Sequence, residues 1–194
     1  MSDPHSNVLG LVRGALIACE DGEVAVETIK AGDIVNTLSD GPQVVRWVGS
    51  GPASSIPPVC FKIGSIAKNT PSQMLFVAQT HRMVLSNWQA ELLFGSAEVL
   101  VPAKALINGT NIYIAENQTS VTYFHILFDK HEIISANGTA SESLYPSAAT
   151  LSALSTQSRA ELHACYPEIK HLNPRTPFAL VRPAISAAEA ALLA

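Results

Sequence analysis

The sequence predicts an all-β domain that carries a small helical appendage at its C-terminal end. Three observations lead there. Short apolar runs are separated by turn signals about every ten residues. The connections are too short for the helical crossovers that parallel strands need. Past Pro146 the composition shifts to alanine, leucine, serine and glutamate, the composition of helices.

The elements follow in order. GALIACEDGEVAVETI places two apolar segments around Asp21-Gly22, a dipeptide that favours a type I′ hairpin. A turn at Lys30 to Asp33 precedes a strand that begins at Ile34 and Val35. SDGPQVVRWVGSGP reads as a turn, a strand containing Trp47, and another turn. VCFKI, MLFVA, RMVLS, AELLFG, EVLVPA, NIYIA, VTYFHILF and EIISA read as further strands, with turns at Asn108-Gly109 and Asn137-Gly138 among others. In the tail, Ser158 to Glu161 fits a capping box, with Leu162, Cys165 and Tyr166 as an apolar stripe before Pro167. NPRTP is a loop, and Ser186 to Glu189 is a second capping box that opens a short last helix. No internal repeat is visible. The expected organisation is an N-terminal segment over 1–9, a β domain over 10–146, and a helical tail over 147–194 packed on the domain. The tail is too small to hold a core alone.

Composition narrows the function classes. The chain has 194 residues, 47% of them hydrophobic, enough for one sizeable core. Net charge is -4 and no basic run occurs, which argues against a nucleic-acid footprint and against an anionic membrane surface. The apolar runs are too short to span a bilayer. MSDPHSNVLG lacks the order of a signal peptide, so a cytoplasmic location is expected. Cys19, Cys60 and Cys165 are widely separated and show no CxxC spacing, so buried, reduced thiols are expected rather than a zinc knuckle or a disulfide framework.

VTYFHILFDKHEI holds the densest set of polar groups. Read as one strand, it puts His125, Leu127, Asp129 and His131 on one face, and Tyr123 and Glu132 apart from each other. Two histidines and a carboxylate could bind a metal. However, i and i+4 on an extended strand are about 13 Å apart. Only Asp129 and His131 are close enough to meet, and a hydrogen-bonded Asp-His pair at a strand end is the favoured reading. A metal-dependent hydrolase built on His81, His125, Asp129 and His131 is kept as an alternative. No cofactor or metal is assigned. GxSxG, GxxxxGK[ST] and GxGxxG are all absent.

FVAQTHRMVL places His81 and Arg82 between two apolar runs. A histidine there often hydrogen-bonds a backbone carbonyl and fixes a turn. Arg82 is expected to bond acidic or carbonyl groups of the β body. Several segments together point further. GALIACEDGEVAVETIKAGDIVNTLSDGPQVVRWVG resembles the opening of the bacterial Hint group, whose form is CFxxGTLI followed by a DG turn and a GD turn. FVAQTHRMVL is similar to that group's central L-V-S-P-x-H-R motif, and WQAELLFGSAEVLVPAKALINGTNI to the segment after it. VTYFHILFDKHEIISANGTASES resembles its last block, and RAELHACYPEI with VRPAISAAEAALL is similar to the end of these proteins.

The resemblance implies the Hint fold of hedgehog C-terminal domains and inteins, a horseshoe-like all-β fold of two pseudo-twofold subdomains. It also implies autoprocessing. In that chemistry a cysteine or serine at the first position attacks the preceding carbonyl, and the central histidine, helped by a Thr or Ser three residues before it, serves the scissile amide. The histidine's role carries onto His81. The other parts depart from the pattern. The nucleophile position falls on Gly10, flanked by Leu9 and Leu11, and the Thr/Ser position is Ala78. Thr80 is expected to face away from His81. After Asn137-Gly138 comes TASES, without the His-Asn that ends inteins, so Glu142 and Ser143 cannot perform the asparagine cyclisation. Nine residues precede Gly10, so little is expected to be released.

The leading expectation is a Hint-fold protein that has lost self-cleavage and has a binding or structural role, its protein or peptide partner unidentified. The alternative is an active autoproteolytic or acyl-transfer domain that uses Cys19, Ser6 or a water.

Overall fold

Two antiparallel sheets form the body of the protein in the computed structural model, which describes residues 9–51, 54–171 and 178–193. The strands are β1 Leu11–Val12, β2 Leu16–Cys19, β3 Gly22–Ala25, β4 Ile34–Thr37, β5 Gly41–Val44, β6 Trp47–Ser50 and β7 Val59–Phe61. β8 Leu75–Val77, β9 Arg82–Ser86, β10 Glu98–Pro102, β11 Ile112–Ile114, β12 Tyr123–Leu127, β13 Ile133–Ala136 and β14 Thr139–Glu142 follow. The helices are α1 Trp88–Phe94, α2 Ala148–Ala153, α3 Thr156–Cys165 and α4 Ala187–Ala190. One sheet has the order β11-β7-β8-β1-β12-β6. The other has the order β10-β9-β14-β13-β2-β4-β5, with β3 added on β2. Ser6 and the NPRTP loop lie outside the described residues.

Local chemistry accounts for the hairpins. Ala136 pairs with Thr139, so Asn137 and Gly138 alone make the β13–β14 turn, at φ +49° and +77°. Both central residues of a type I′ turn need positive φ, and asparagine and glycine tolerate it best. The β2–β3 hairpin is also present, but its turn is centred one residue earlier than Asp21-Gly22. Cys19 pairs with Gly22, and Gly22 at φ +121° is already a strand residue.

The interior joins the two sheets. Leu11, Ile17, Val35, Phe61, Val77, Met83, Phe124 and Ile134 meet in one buried cluster drawn from both. Burial at about 25 cal/mol per Å² of apolar surface is what holds so many short strands together. The tail packs on this body in two places. Leu154, Leu162 and Ile169 cover Trp47 and Leu127. Ile185, Ala190 and Leu193 cover Val99 and Val101.

Three expectations are corrected here. AELLFG is helical: Asn87 accepts the Gln89 N–H at the start of α1, and Gly95 ends the helix at φ +71°. That cap pair outweighs the strand-like look of the run. The cap of α3 is Ser155, whose hydroxyl accepts the Ser158 N–H, so Ser158 lies inside the helix. Cys165 is exposed, while Cys60 is buried and Cys19 partly so; all three are free. The Ser186 and Glu189 capping box is formed in full. Among the described residues, no helix is long and apolar enough to cross a membrane.

Candidate functional site

The loop between β8 and β9 positions His81. Ala78 to His81 is a tight turn closed by the His81 N–H on the Ala78 carbonyl at 3.0 Å. The Ala103 N–H then donates to the His81 carbonyl at 2.8 Å. His81 is 4% exposed. Its Nε2 lies 2.6 Å from Ser141 Oγ on β14. The partner is therefore a side-chain hydroxyl, not the backbone carbonyl that a turn-fixing histidine would use. β14 reaches this point because Ser141 pairs with Met83 on β9.

Gly10 lies against the same place. The Ala78 N–H donates to the Gly10 carbonyl at 2.9 Å, so Ala78 serves through its backbone although its methyl group offers no hydrogen bond. Gly10 has φ +115°, a region that side chains rarely enter. A Cβ there would sit 2.6 Å from the Phe124 carbonyl oxygen, and 3.1 and 3.2 Å from His125 Cε1 and Nδ1. The His125 ring thus occupies space that a nucleophilic side chain at position 10 would need. The cavity left between Gly10, His81, Phe124, His125 and Glu142 is about 10 Å³, room for one water molecule.

The electrostatics of the site follow from burial. Desolvation pushes His81 down to about 4 from its ordinary 6.5, reinforced by Arg82 and His131 and opposed by Glu142. His125 keeps some surface open to solvent, yet desolvation together with the nearby His81 also pushes it down to about 4. Both rings are neutral at pH 7. Beside them Glu142 is 3% exposed. Its Oε1 accepts the Arg82 N–H at 2.8 Å, and its Oε2 accepts from the Arg82 guanidinium at 3.1 Å. Burial works to raise the Glu142 carboxyl, but the neighbouring His131, His81 and Arg82 outweigh it and hold it below its ordinary value.

His131 does not pair with Asp129. The chain leaves β12 after Leu127, so the five-residue span Phe128 to Glu132 is no strand, and the alternation expected for it fails. Asp129 points to solvent and pairs with Arg46 at 3.2 Å. His131 is buried at 2% exposure. Its Nδ1 accepts the Val181 N–H at 3.3 Å, so Nε2 is the nitrogen that carries hydrogen, and it faces Glu142 Oε2 at 3.5 Å. That separation is within ion-pair range but long for a hydrogen bond. The tetrad His81, His125, Asp129 and His131 is thus divided: Asp129 lies apart. Among the described residues, no group of three or more His, Cys, Asp or Glu side chains is placed to hold a metal. Cys19 stands at the end of β2, in the other sheet from β1; burial and then Asp33 push its thiol up, away from the reactive thiolate.

Ser141 as partner of His81, and Glu142 as the carboxylate that ties Arg82 to His131, were not legible beforehand. The Asn137-Gly138 turn does set which β14 residues alternate. Nothing in the sequence says that β14 lies beside β9.

Two antiparallel sheets bring His81 and Gly10, the residue just before β1, to the lining of one small cavity in an all-β fold. The Hint domain family model matches residues 9–148, and the chain belongs to that family. Solved structures resemble it at low identity. The bacterial intein-like domain from Clostridium thermocellum is 14% identical with a TM-score of 0.44, over 71% of this chain and 99% of that one. The MchDnaB-1 intein is 12% identical with a TM-score of 0.45, over 69% and 99%. A DnaB intein from Synechocystis sp. PCC 6803 is 13% identical with a TM-score of 0.41, over 70% and 99%. No curated protein matches this sequence.

Proposed function

We propose that this chain is a Hint domain that no longer cleaves itself, and that its former centre is kept as a packed structural element. The carrying observation is Gly10. Self-cleavage starts from a side-chain nucleophile, and this position has none. Its φ of +115° and the 2.6 Å approach to the Phe124 carbonyl leave no place for one. The rest is consistent. Ala78 cannot polarise an amide through a hydroxyl. His81 spends Nε2 on Ser141. Glu142 and Ser143, where inteins carry His-Asn, bond inward to Arg82 and to the Glu132 N–H.

The test is a fusion of a stable partner ahead of Leu9, followed by intact mass with and without added thiol. An intact fusion is expected. Release at Leu9-Gly10 that disappears in His81→Ala would overturn the reading and favour cleavage by a water or a displaced thiol. A second arm carries Gly10→Cys with Ala78→Thr. Restoring the two side chains is expected not to restore cleavage, because the backbone at position 10 and the His125 ring still block the nucleophile. Efficient cleavage in that arm would show that the packing around Gly10 is no obstacle.

A further inference from the structure

A neutral imidazole has one nitrogen that donates and one that accepts, whereas a charged one has two donors and no acceptor. His131 is placed where that difference matters. Its side chain is fully buried, and its accepting nitrogen, Nδ1, receives the Val181 N–H at 3.3 Å. Val181 ends a short segment, residues 178–181, that has neither helix nor strand. Tyr145 joins the segment to the ring, meeting His131 edge-on at 5.4 Å and Phe178 at 6.4 Å. The residues that follow are fixed separately. Arg182 Nε pairs with Glu98 at 2.7 Å. On β10, the Leu100 N–H donates to the Pro183 carbonyl at 2.8 Å, and the Leu100 carbonyl accepts the Ile185 N–H at 3.0 Å.

The charged neighbours of the ring are few. Glu142 on β14 faces Nε2 at 3.5 Å and is also bonded to Arg82. In the loop between β12 and β13, Lys130 is drawn off to Asp40 at 2.9 Å and Asp129 to Arg46 at 3.2 Å. Glu132, next in the chain, is buried, and His81 lies in the same network. A second proton on His131 therefore finds a carboxylate at Nε2 and removes the acceptor at Nδ1.

We propose that residues 178–181 are a proton-released latch: a charged His131 ring turns Nδ1 into a donor, expels the Val181 N–H, closes on Glu142 through Nε2 and frees the segment as far as Arg182. A cavity of about 200 Å³ bordered by Lys130, His131, Phe178 and Val181 gives the expelled N–H room to meet water. Glu142 is held below its ordinary value and His81 is pushed down to about 4, so neither accounts for a change near pH 5. Burial pushes the Glu132 carboxyl up, which makes it the competing trigger. The inference does not depend on whether Gly10 can be cleaved.

The test is amide hydrogen exchange of the ¹⁵N-labelled full chain at pH 7.5 and pH 5, corrected for the intrinsic pH dependence of exchange. Protection at Val181 is expected to be about tenfold lower at pH 5, the scale of one lost hydrogen bond, while Ile185 keeps its protection. In His131→Asn the side-chain oxygen stands near the former Nδ1 and takes up no proton in this range. Val181 is expected to be equally protected at both pH values in that variant. Three results overturn the proposal: unchanged protection at Val181 in the wild type, Ile185 losing protection together with Val181, or a loss at Val181 that persists in His131→Asn and so belongs to Glu132. The first two are read on the wild type alone, so the test stands even if the variant fails to fold.

Discussion

Lowering the pH should destabilise this protein through His81, whose folded and unfolded forms take up a proton at different pH. The ring's folded pKa is about 4 against an ordinary 6.5, so between these values the unfolded chain binds more protons than the folded one. Stability is therefore full above about pH 6.5 and falls as pH drops toward 4. Linkage with these two values gives a loss of about 2 kcal/mol between pH 7.5 and pH 5. Glu142 acts in the same direction but lower on the pH scale: its carboxyl is held below its ordinary value, so its contribution is present above the usual carboxylate range and is lost as pH falls through and below it. The assay is urea unfolding of the wild type and His81→Gln at pH 7.5 and pH 5, followed by tryptophan fluorescence. The variant is expected to be less stable at pH 7.5 and to show a smaller loss on acidification, with unchanged urea dependence. His81 also holds His125 down, so the double variant His81→Gln/His125→Gln is needed to divide the effect between the rings. An equal loss on acidification in wild type and His81→Gln would refute the claim that His81 is buried in its neutral form.

Other outcomes follow from the same geometry. Gly10→Ala is expected to cost about 2–4 kcal/mol, from strain at φ +115° and the clash with the Phe124 carbonyl; an unchanged urea midpoint would show that the segment simply moves aside. Glu142→Gln removes the charge between Arg82 and His131 and is expected to cost about 3 kcal/mol, read as a lower melting temperature at pH 7; a neutral effect would mean that solvent already satisfies Arg82. Asn137 accepts the Leu16 N–H at 2.6 Å and donates to the Met74 carbonyl at 3.1 Å. Asn137→Gly keeps the positive φ and isolates those two bonds, at about 2 kcal/mol in urea unfolding, whereas Asn137→Ala is expected to cost more.

Much of the β body was legible in the chain because its signals are local. Asn137-Gly138 sets a two-residue turn by φ alone, and the short runs of aliphatic, β-branched and aromatic residues in RMVLS, EVLVPA and VTYFHILF mark each strand without reference to a partner. Where a local signal was outvoted by another, the reading failed: AELLFG looks like a strand until Asn87 and Gly95 are seen to cap it as a helix. The family was legible for a similar reason, since its motifs keep their order along 9–148. The site was half legible. His81, Gly10 and Ala78 were placed by motif, and the structure brings the three together.

What decided the rest was long-range pairing, which no local pattern encodes. Ser141 reaches His81 and Glu142 reaches Arg82 only because β14 pairs with β9 across sixty residues of chain. Asp129 and His131, adjacent in a strand drawn on paper, part company because β12 ends at Leu127. The sequence by itself determined that position 10 lacks a nucleophile. Only the tertiary structure showed that His125 and the Phe124 carbonyl fill the space beside it, because steric exclusion is a property of neighbours in space and not of neighbours in the chain.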